Sequence, residues 1–197
     1  MENNFLNIPL NLQTALKSSY LTKEQSSSLL QKNGYTFDKE ISNNTTRVYY
    51  NPEQNKTLMT VRGTKNWLND IPTDLTLLVG GTPLLKTTDR YKQTENVYKE
   101  AKKKYSGGIS ILGHSLGGSL SNALPTDEKD RVYNYNKGVS VLSQNTKKNE
   151  LGLRSQSDII SLLSTNQKHT VNFGGINLNL LQAHNLDQLN KIKPIRI

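Results

Sequence analysis

The sequence ISILGHSLGGSLSNAL, residues 109–124, carries the clearest indication of the fold. It begins with a short apolar run, 109–113, of the kind that is buried in a parallel sheet. Ser115 follows, and residues 116–124 fit a helix that Pro125 stops. Glycine stands two positions before and two positions after the serine, which gives the pattern G-x-S-x-G. The stretch therefore predicts a strand, a sharp turn at Ser115 and a helix.

The G-x-S-x-G pattern is typical of a serine nucleophile. A serine at such a turn has its hydroxyl pushed out of the sheet, and side chains two residues away would collide with neighbouring backbone. A glycine-rich turn without a catalytic role is the alternative, but the predicted strand and helix on either side favour the nucleophile. Because a serine hydroxyl is weakly nucleophilic at neutral pH, a base and an orienting acid are needed.

The chain has three candidates for the base, since it contains three histidines. His114 adjoins the serine and is expected to pack beside the sheet. His169 begins an apparent strand, which suits a structural residue. His184 follows an apolar pair near the C-terminus, where a final loop can bring it to the sheet edge. We predict His184 as the base, with His169 as the alternative.

Five carboxylates between Ser115 and His184 are candidates for the acid: Asp127, Glu128, Asp130, Glu150 and Asp158. The first three lie in PTDEKD, which predicts a solvated turn, and Glu150 lies in a predicted polar loop. Asp158 follows a predicted strand and precedes the apolar run IISLL. Catalytic groups gather at the C-terminal ends of strands in open α/β sheets, so we predict Asp158 as the acid. A helix N-cap is its alternative role.

A second motif, V-R-G-T-x-x-W-x-x-D, lies upstream at 61–70. A Gly-Thr turn at a strand end can present a backbone N–H and a hydroxyl at one point, as an oxyanion hole requires. We predict that Thr64 forms this hole together with the N–H of Leu116. Arg62 and Asp70 are expected to brace the loop.

The remaining segments predict an α/β sheet, because strands and helices alternate in the middle of the chain. Thr22 and Gln25 form a capping box for a helix over about 22–32. Residues 65–87 are expected to be irregular, and Trp67, Leu75, Leu77 and Leu78 there would line an acyl pocket or form ordinary core. The other predicted elements are the strand-like runs YTFDKEI, TRVYY, KTLMTVR, RVYNY, LGLRS and HTVNF, a helix between Thr88 and Tyr105, and short helices at about 10–16 and 182–190.

Length and composition indicate one soluble globular domain over residues 1–197, with no cysteine and a formal net charge of +9. The absence of cysteine excludes disulfide scaffolds and thiolate zinc sites. Neither a signal peptide nor a transmembrane segment is evident, so we expect a soluble protein, cytoplasmic or, if viral, virion-associated. The basic residues are dispersed, and Lys102–Lys104 suit a helix C-terminus. No nucleic-acid motif accompanies them, whereas attraction to an anionic membrane or micelle surface remains open.

Taken together, V-R-G-T with W-x-x-D, G-H-S-L-G-G at 113–118, the acid after a strand and A-H-x-L at 183–186 resemble the class 3 lipases, the family of the fungal triacylglycerol lipases. The resemblance implies an α/β-hydrolase-type three-layer fold with a central, mostly parallel sheet. It also implies the triad Ser115, Asp158 and His184, an oxyanion hole at Thr64 and Leu116, a carboxylic ester substrate, and neither cofactor nor metal. A large mobile lid is not expected in full, because the chain is shorter than typical members and only two residues separate Thr64 from Trp67; residues 67–79 could still form a small cover.

The function predicted on this basis is hydrolysis of lipid esters, as by a lipase or phospholipase. Two alternatives remain: a soluble short-chain esterase, and a catalytically vestigial lipid-surface or virion structural protein. A peptidase or thioesterase would use the same turn, but the chain shows no peptide- or coenzyme-recognition motif.

Overall fold

The computed structural model describes residues 10–64, 81–138, 147–155, 170–173 and 185–195. These residues form a seven-stranded sheet whose strands lie side by side in chain order. The first three strands pair antiparallel, and the third to seventh pair parallel. The strands are β1 (Thr36–Asp38), β2 (Thr46–Asn51), β3 (Lys56–Val61), β4 (Ile109–His114), β5 (Arg131–Tyr135), β6 (Glu150–Ser155) and β7 (Thr170–Phe173).

Five α-helices and one 3-10 helix accompany the sheet in the described parts of the chain. They are α1 (Leu12–Ser18), α2 (Lys23–Gln31), α3 (Gly81–Thr87), α4 (Asp89–Lys104), α5 (Leu116–Ala123) and the 3-10 helix Leu186–Lys191. The capping box predicted for α2 is confirmed, since the Thr22 and Gln25 side chains each bond the other residue's backbone N–H. None of these helices has the length and apolar composition that a membrane span requires.

The sheet has a core on each face, because successive strand residues point to opposite sides. Helices α3, α4 and α5 pack on one face against a cluster that includes Met59 and Ile111. Helices α1 and α2 and the 3-10 helix pack on the other face, where the adjacent residues Leu58 and Leu112 point. The three-layer architecture with a mostly parallel sheet, predicted from the sequence, is therefore confirmed.

Several local predictions were wrong. Residues 81–87 form a helix, because Leu85 is buried against the α3–α5 layer. The last short helix is a 3-10 helix. Asp130 and Glu150, which the sequence places in solvated loops, are buried at 0% and 4% exposure. Both carboxylates accept several hydrogen bonds, which offsets the cost of removing them from water.

The basic end of α4 is neutralised by acidic side chains of the same chain. Lys102 contacts Asp127 and Asp130, and Lys103 pairs with Glu100. Lys104 lies 2.8 Å from Asp38 and 2.7 Å from Glu40. This cluster is therefore accounted for within the fold, as the helix-terminus interpretation predicts.

Candidate active site

Ser115 lies in the sharp turn between β4 and α5, as predicted, with φ 55° and ψ −127°. The other described non-glycine residues with positive φ are Asn55 and Asn136, and asparagine tolerates that region better than serine. A serine held in this conformation costs on the order of 1–3 kcal/mol, and such strain concentrates at functional sites. The turn thus has the backbone geometry of a nucleophile elbow.

The two glycines of the motif are required by close backbone approach. A Cβ at Gly113 would lie 2.5 Å from the carbonyl oxygen of Gly117, at the start of α5. A Cβ at Gly117 would collide with the carbonyl oxygen of Val61 at the end of β3. The glycines therefore let α5 sit directly on β3 and β4, which sets the direction of the turn between them.

Leu116 is the first residue of α5, and the first N–H groups of a helix have no acceptor within it. The carbonyl of Ser115 accepts from the N–H groups of Gly118 and Ser119, at 2.9 and 3.2 Å. The positive end of the helix dipole thus lies at Ser115, where it favours a developing negative charge.

The V-R-G-T motif lies beside this turn. Strands β3 and β4 are parallel neighbours with Val61 opposite Gly113, so residues 62–64 run alongside the serine. A Cβ at Gly63 would stand 3.1 Å from the Cβ of Ser115 and 2.6 Å from the carbonyl oxygen of His114. The structure therefore places Gly63, the residue before Thr64, directly beside Ser115. Trp67 and Asp70 lie outside the described residues, as do Leu75, Leu77 and Leu78.

The backbone N–H and carbonyl of Arg62 are both hydrogen-bonded. Its N–H donates to the carbonyl of Thr45, at 2.8 Å, and its carbonyl accepts from the guanidinium of Arg90 on α4. The predicted bracing of this loop thus acts at the backbone of Arg62.

Tyr20, in the turn between α1 and α2, is a residue that the sequence analysis missed. Its hydroxyl accepts from the N–H of Gly63, at 3.1 Å, and lies 2.6 Å from Nδ1 of His114. Burial raises the pKa of the Tyr20 phenol well above its usual range, so the group is protonated at neutral pH. No local signal identifies it, because its partners lie far along the chain.

His114 is buried beside the sheet, as predicted, with 7% of its surface exposed. Its ring meets the Tyr20 ring edge-on at 5.6 Å and stacks on Tyr135 at 5.4 Å. These ring contacts give His114 a packing role next to Ser115.

Asp158, the predicted acid, lies outside the described residues, but the strand before it is well defined. Strand β6 ends at Ser155, three positions before Asp158, on the same sheet edge as Ser115. Asn136, at the end of β5, accepts from the N–H of Ser155 at 2.8 Å and thereby joins the ends of the two strands.

His184 and its alternative His169 also lie outside the described residues. The next residue, Asn185, is placed: its carbonyl accepts from the hydroxyl of Tyr135 at 2.9 Å. Tyr135 ends β5, the strand beside the one that leads into Ser115. The chain thus returns to this sheet edge immediately after His184.

The N-terminal ends of the parallel strands, at the sheet edge opposite Ser115, form a different environment. A cleft of about 880 Å³ lies there, lined by residues that include Asp127, Arg131 and Lys148. Among the described residues, Thr64, Ser115 and Leu116 do not line it, whereas the acid candidates Asp127, Glu128 and Glu150 do. Asp127, Glu128 and Asp130 precede β5 at this edge, which separates them from Ser115 by the length of a strand. In the described parts of the chain, no three histidine or acidic side chains cluster in a way that could hold a metal ion.

Comparison with known proteins gives similarity in structure but not in sequence. No protein-family model matches the chain, and no curated protein matches it. One similar solved structure is described as "a serine protease triad forms the catalytic centre of a triacylglycerol lipase". The matched region covers 76% of this chain and 70% of that protein, at 15% identity and TM-score 0.53. The Rhizomucor miehei lipase propeptide complex covers 78% of this chain and 61% of its own, at 16% identity and TM-score 0.52.

The Lip2 lipase of Yarrowia lipolytica is a further match, at 13% identity and TM-score 0.46, covering 78% of this chain and 73% of its own. Identities this low carry information about architecture rather than activity. The two matches with TM-scores above 0.5, taken with the sheet and helical layers described above, show that the chain has the α/β-hydrolase fold.

Proposed function

We propose that this protein is a serine carboxylic-ester hydrolase that acts on lipid esters. The observation that carries the proposal is the strained backbone of Ser115, φ 55°, at the start of α5 and against Gly63. A vestigial structural protein would have no need to keep a conformation that opposes folding. The strain therefore favours an active nucleophile over the vestigial alternative.

In the proposed mechanism Ser115 attacks the ester carbonyl while His184 accepts the hydroxyl proton. His184 then returns that proton to the leaving alcohol, and Asp158 holds the imidazole in the required tautomer. The N–H groups of Thr64 and Leu116 bind the oxyanion. A water molecule then attacks the acyl-enzyme by the same steps and releases the carboxylic acid product. The proposed reaction therefore needs neither metal nor cofactor.

The described residues that flank the predicted acid and base support this triad. The acid would follow β6, whose end is bonded to β5 through Asn136 and Ser155. The base would precede Asn185, which Tyr135 bonds at the end of β5. Both segments thus start from the sheet edge that carries Ser115, in the order nucleophile, acid and base.

A lipid substrate is proposed from two considerations. The similar solved structures are lipases, and one is described as a triacylglycerol lipase. The net charge of +9 favours anionic lipid surfaces, to which a basic protein is attracted. Triacylglycerols and phospholipids are both within this class.

The test is labelling and turnover with Ser115→Ala, with Ser106→Ala at an exposed position as the control. The wild-type protein and Ser106→Ala should react with a fluorophosphonate and hydrolyse long-chain esters. Ser115→Ala should lose the label and at least ~10³-fold in kcat, because the triad acts as a unit. Hydrolysis that persists in Ser115→Ala would overturn the proposal.

A further inference from the structure

Tyr20 joins the two segments that flank the nucleophile. We propose that its hydroxyl is a positioning group for the oxyanion hole, acting through the relay from Gly63 N–H to Tyr20 Oη–H to His114 Nδ1. The inference rests on the proposed ester hydrolysis and adds to it a residue outside the triad and the hole.

The direction of the relay follows from the donors present. The Gly63 N–H can only donate, so the Tyr20 oxygen accepts from it at 3.1 Å. The phenol keeps its proton at neutral pH, because burial raises the pKa of Tyr20 far above that range. We assign that proton to the 2.6 Å contact with Nδ1 of His114, so that Nδ1 is the acceptor and Nε2 carries the ring proton.

The turn that carries Tyr20 contacts the sheet through Arg47. Nη1 of Arg47, which is buried on β2, lies 3.4 Å from the carbonyl oxygens of Ser18 and Thr22, on either side of Tyr20. The same group donates to the Ser26 hydroxyl at 2.9 Å. The α1–α2 turn is therefore fixed to the sheet, and the phenol is presented at a defined point.

The relay acts on catalysis through the backbone. The hydrogen bond to the Gly63 N–H fixes the peptide between Arg62 and Gly63, whose carbonyl also accepts from Arg90. The next peptide starts from this fixed plane, and the close approach of Gly63 to Ser115 and to the carbonyl of His114 limits the positions it can take. That next peptide carries the N–H of Thr64, the proposed oxyanion donor. Such a donor is effective only within about 2.7–3.1 Å of the oxyanion, and a misplacement of about 1 Å can cost ~10²-fold.

The other end of the relay is the ring of His114. His114 immediately precedes Ser115, and its ring is fixed between Tyr20 and Tyr135. One hydroxyl thus links the end of β4 to the residues that follow β3, just beyond the last paired residues of the two strands. A group of this kind should affect turnover more than substrate binding.

The test compares Tyr20→Phe with Tyr98→Phe. Tyr98 is a matched control, because its buried hydroxyl donates to Asp130 at 2.8 Å, close to the start of β4 and away from Ser115. Both variants keep the ring and lose one buried hydroxyl. Tyr20→Phe should lower kcat for an ester about tenfold with KM within twofold, an effect below that of removing an oxyanion donor. Tyr98→Phe should keep the wild-type kcat.

A second readout separates positioning from a loss of folded protein. A thionoester replaces the carbonyl oxygen with sulfur, which is larger and a weaker hydrogen-bond acceptor, so an ordered oxyanion hole prefers the ester. The ratio of ester to thionoester rates does not depend on how much protein is folded. It should fall about fivefold or more in Tyr20→Phe, since a misplaced donor discriminates less, and should stay unchanged in Tyr98→Phe.

The outcomes distinguish this inference from the function on which it rests. If the wild-type protein hydrolyses esters through Ser115 but Tyr20→Phe keeps both kcat and the rate ratio, the relay has no catalytic role and only this inference fails. A lower kcat with an unchanged ratio would also overturn it, because the loss would then reflect stability. A wild-type protein without esterase activity or fluorophosphonate labelling would overturn both.

Discussion

The substitution Glu150→Gln should destabilise the fold strongly while sparing the chemistry at Ser115. The Glu150 carboxylate is 0% exposed and lies 2.9 Å from the ammonium of Lys137. Oε1 accepts from Lys137 and from Asn134, and Oε2 accepts from Asn122 and from the N–H of Lys147. Both oxygens are therefore surrounded by donors.

Glutamine cannot replace this carboxylate. Whichever way its amide is turned, the NH₂ group faces two donors, so hydrogen bonds are lost and Lys137 keeps no counter-charge. Removing one partner of a buried ion pair costs about 3–5 kcal/mol. Lys137 is 12% exposed and retains some hydration, so the lower end applies, about 3 kcal/mol. For a chain of this size this corresponds to a fall in Tm of roughly 6–12 °C.

The assay is urea unfolding of the wild-type protein, Glu150→Gln and Glu100→Gln. Glu100 is the matched control, because it pairs with Lys103 at the surface, and its change should cost less than about 0.5 kcal/mol. The double variant Lys137→Met/Glu150→Leu should lose less than the sum of its two single changes, because it leaves no buried charge unpaired.

Measuring kcat of Glu150→Gln tests whether this residue takes part in catalysis. Glu150 begins β6, about 17 Å from the strand end that precedes the predicted acid. Below its melting range, Glu150→Gln should keep kcat within about twofold, since the triad is assigned elsewhere. A loss of less than about 1 kcal/mol would refute the argument from burial, taking about 3 as expected. A collapse of kcat at unchanged stability would make Glu150 the acid and the assignment of Asp158 wrong.

Three further outcomes are expected. Asp158→Asn should lower kcat by ~10⁴-fold through loss of the required imidazole tautomer, whereas Asp127→Asn, at the opposite edge, should leave it unchanged; the reverse result would reassign the acid. His184→Ala should cost at least ~10³-fold in kcat and His169→Ala little, as measured with a soluble ester, and an inactive His169→Ala with an active His184→Ala would exchange their roles. Hydrolysis in anionic vesicles should exceed that in zwitterionic vesicles and fall between low and physiological salt, because each Lys or Arg near an anionic surface contributes about 1 kcal/mol; equal salt profiles for vesicles and a soluble ester would favour a soluble esterase.

Most of the sheet could be predicted from the sequence because its determinants are local. Runs rich in β-branched and aromatic residues identify β2, β3 and β5, an apolar run identifies β4, and the Thr22–Gln25 capping box fixes the start of α2. The motif around Ser115 is local in part: glycine at 113 is required by the backbone of Gly117, whereas glycine at 117 is required by the carbonyl of Val61 on β3. The roles of Asp158 and His184 stay predictions.

Only the tertiary structure decided which polar residues are buried and which distant segments meet. PTDEKD and KKNE are polar in sequence, yet Asp130 and Glu150 within them are buried, because donors from other elements surround each carboxylate. Tyr20 contacts His114 across 94 positions of the chain. The strand, turn and helix that present Ser115 are predictable from residues 109–124 alone, because the apolar run, the glycines and Pro125 are neighbours in the chain. The tertiary structure decided what surrounds that serine, because its partners come from separate elements that packing alone brings together.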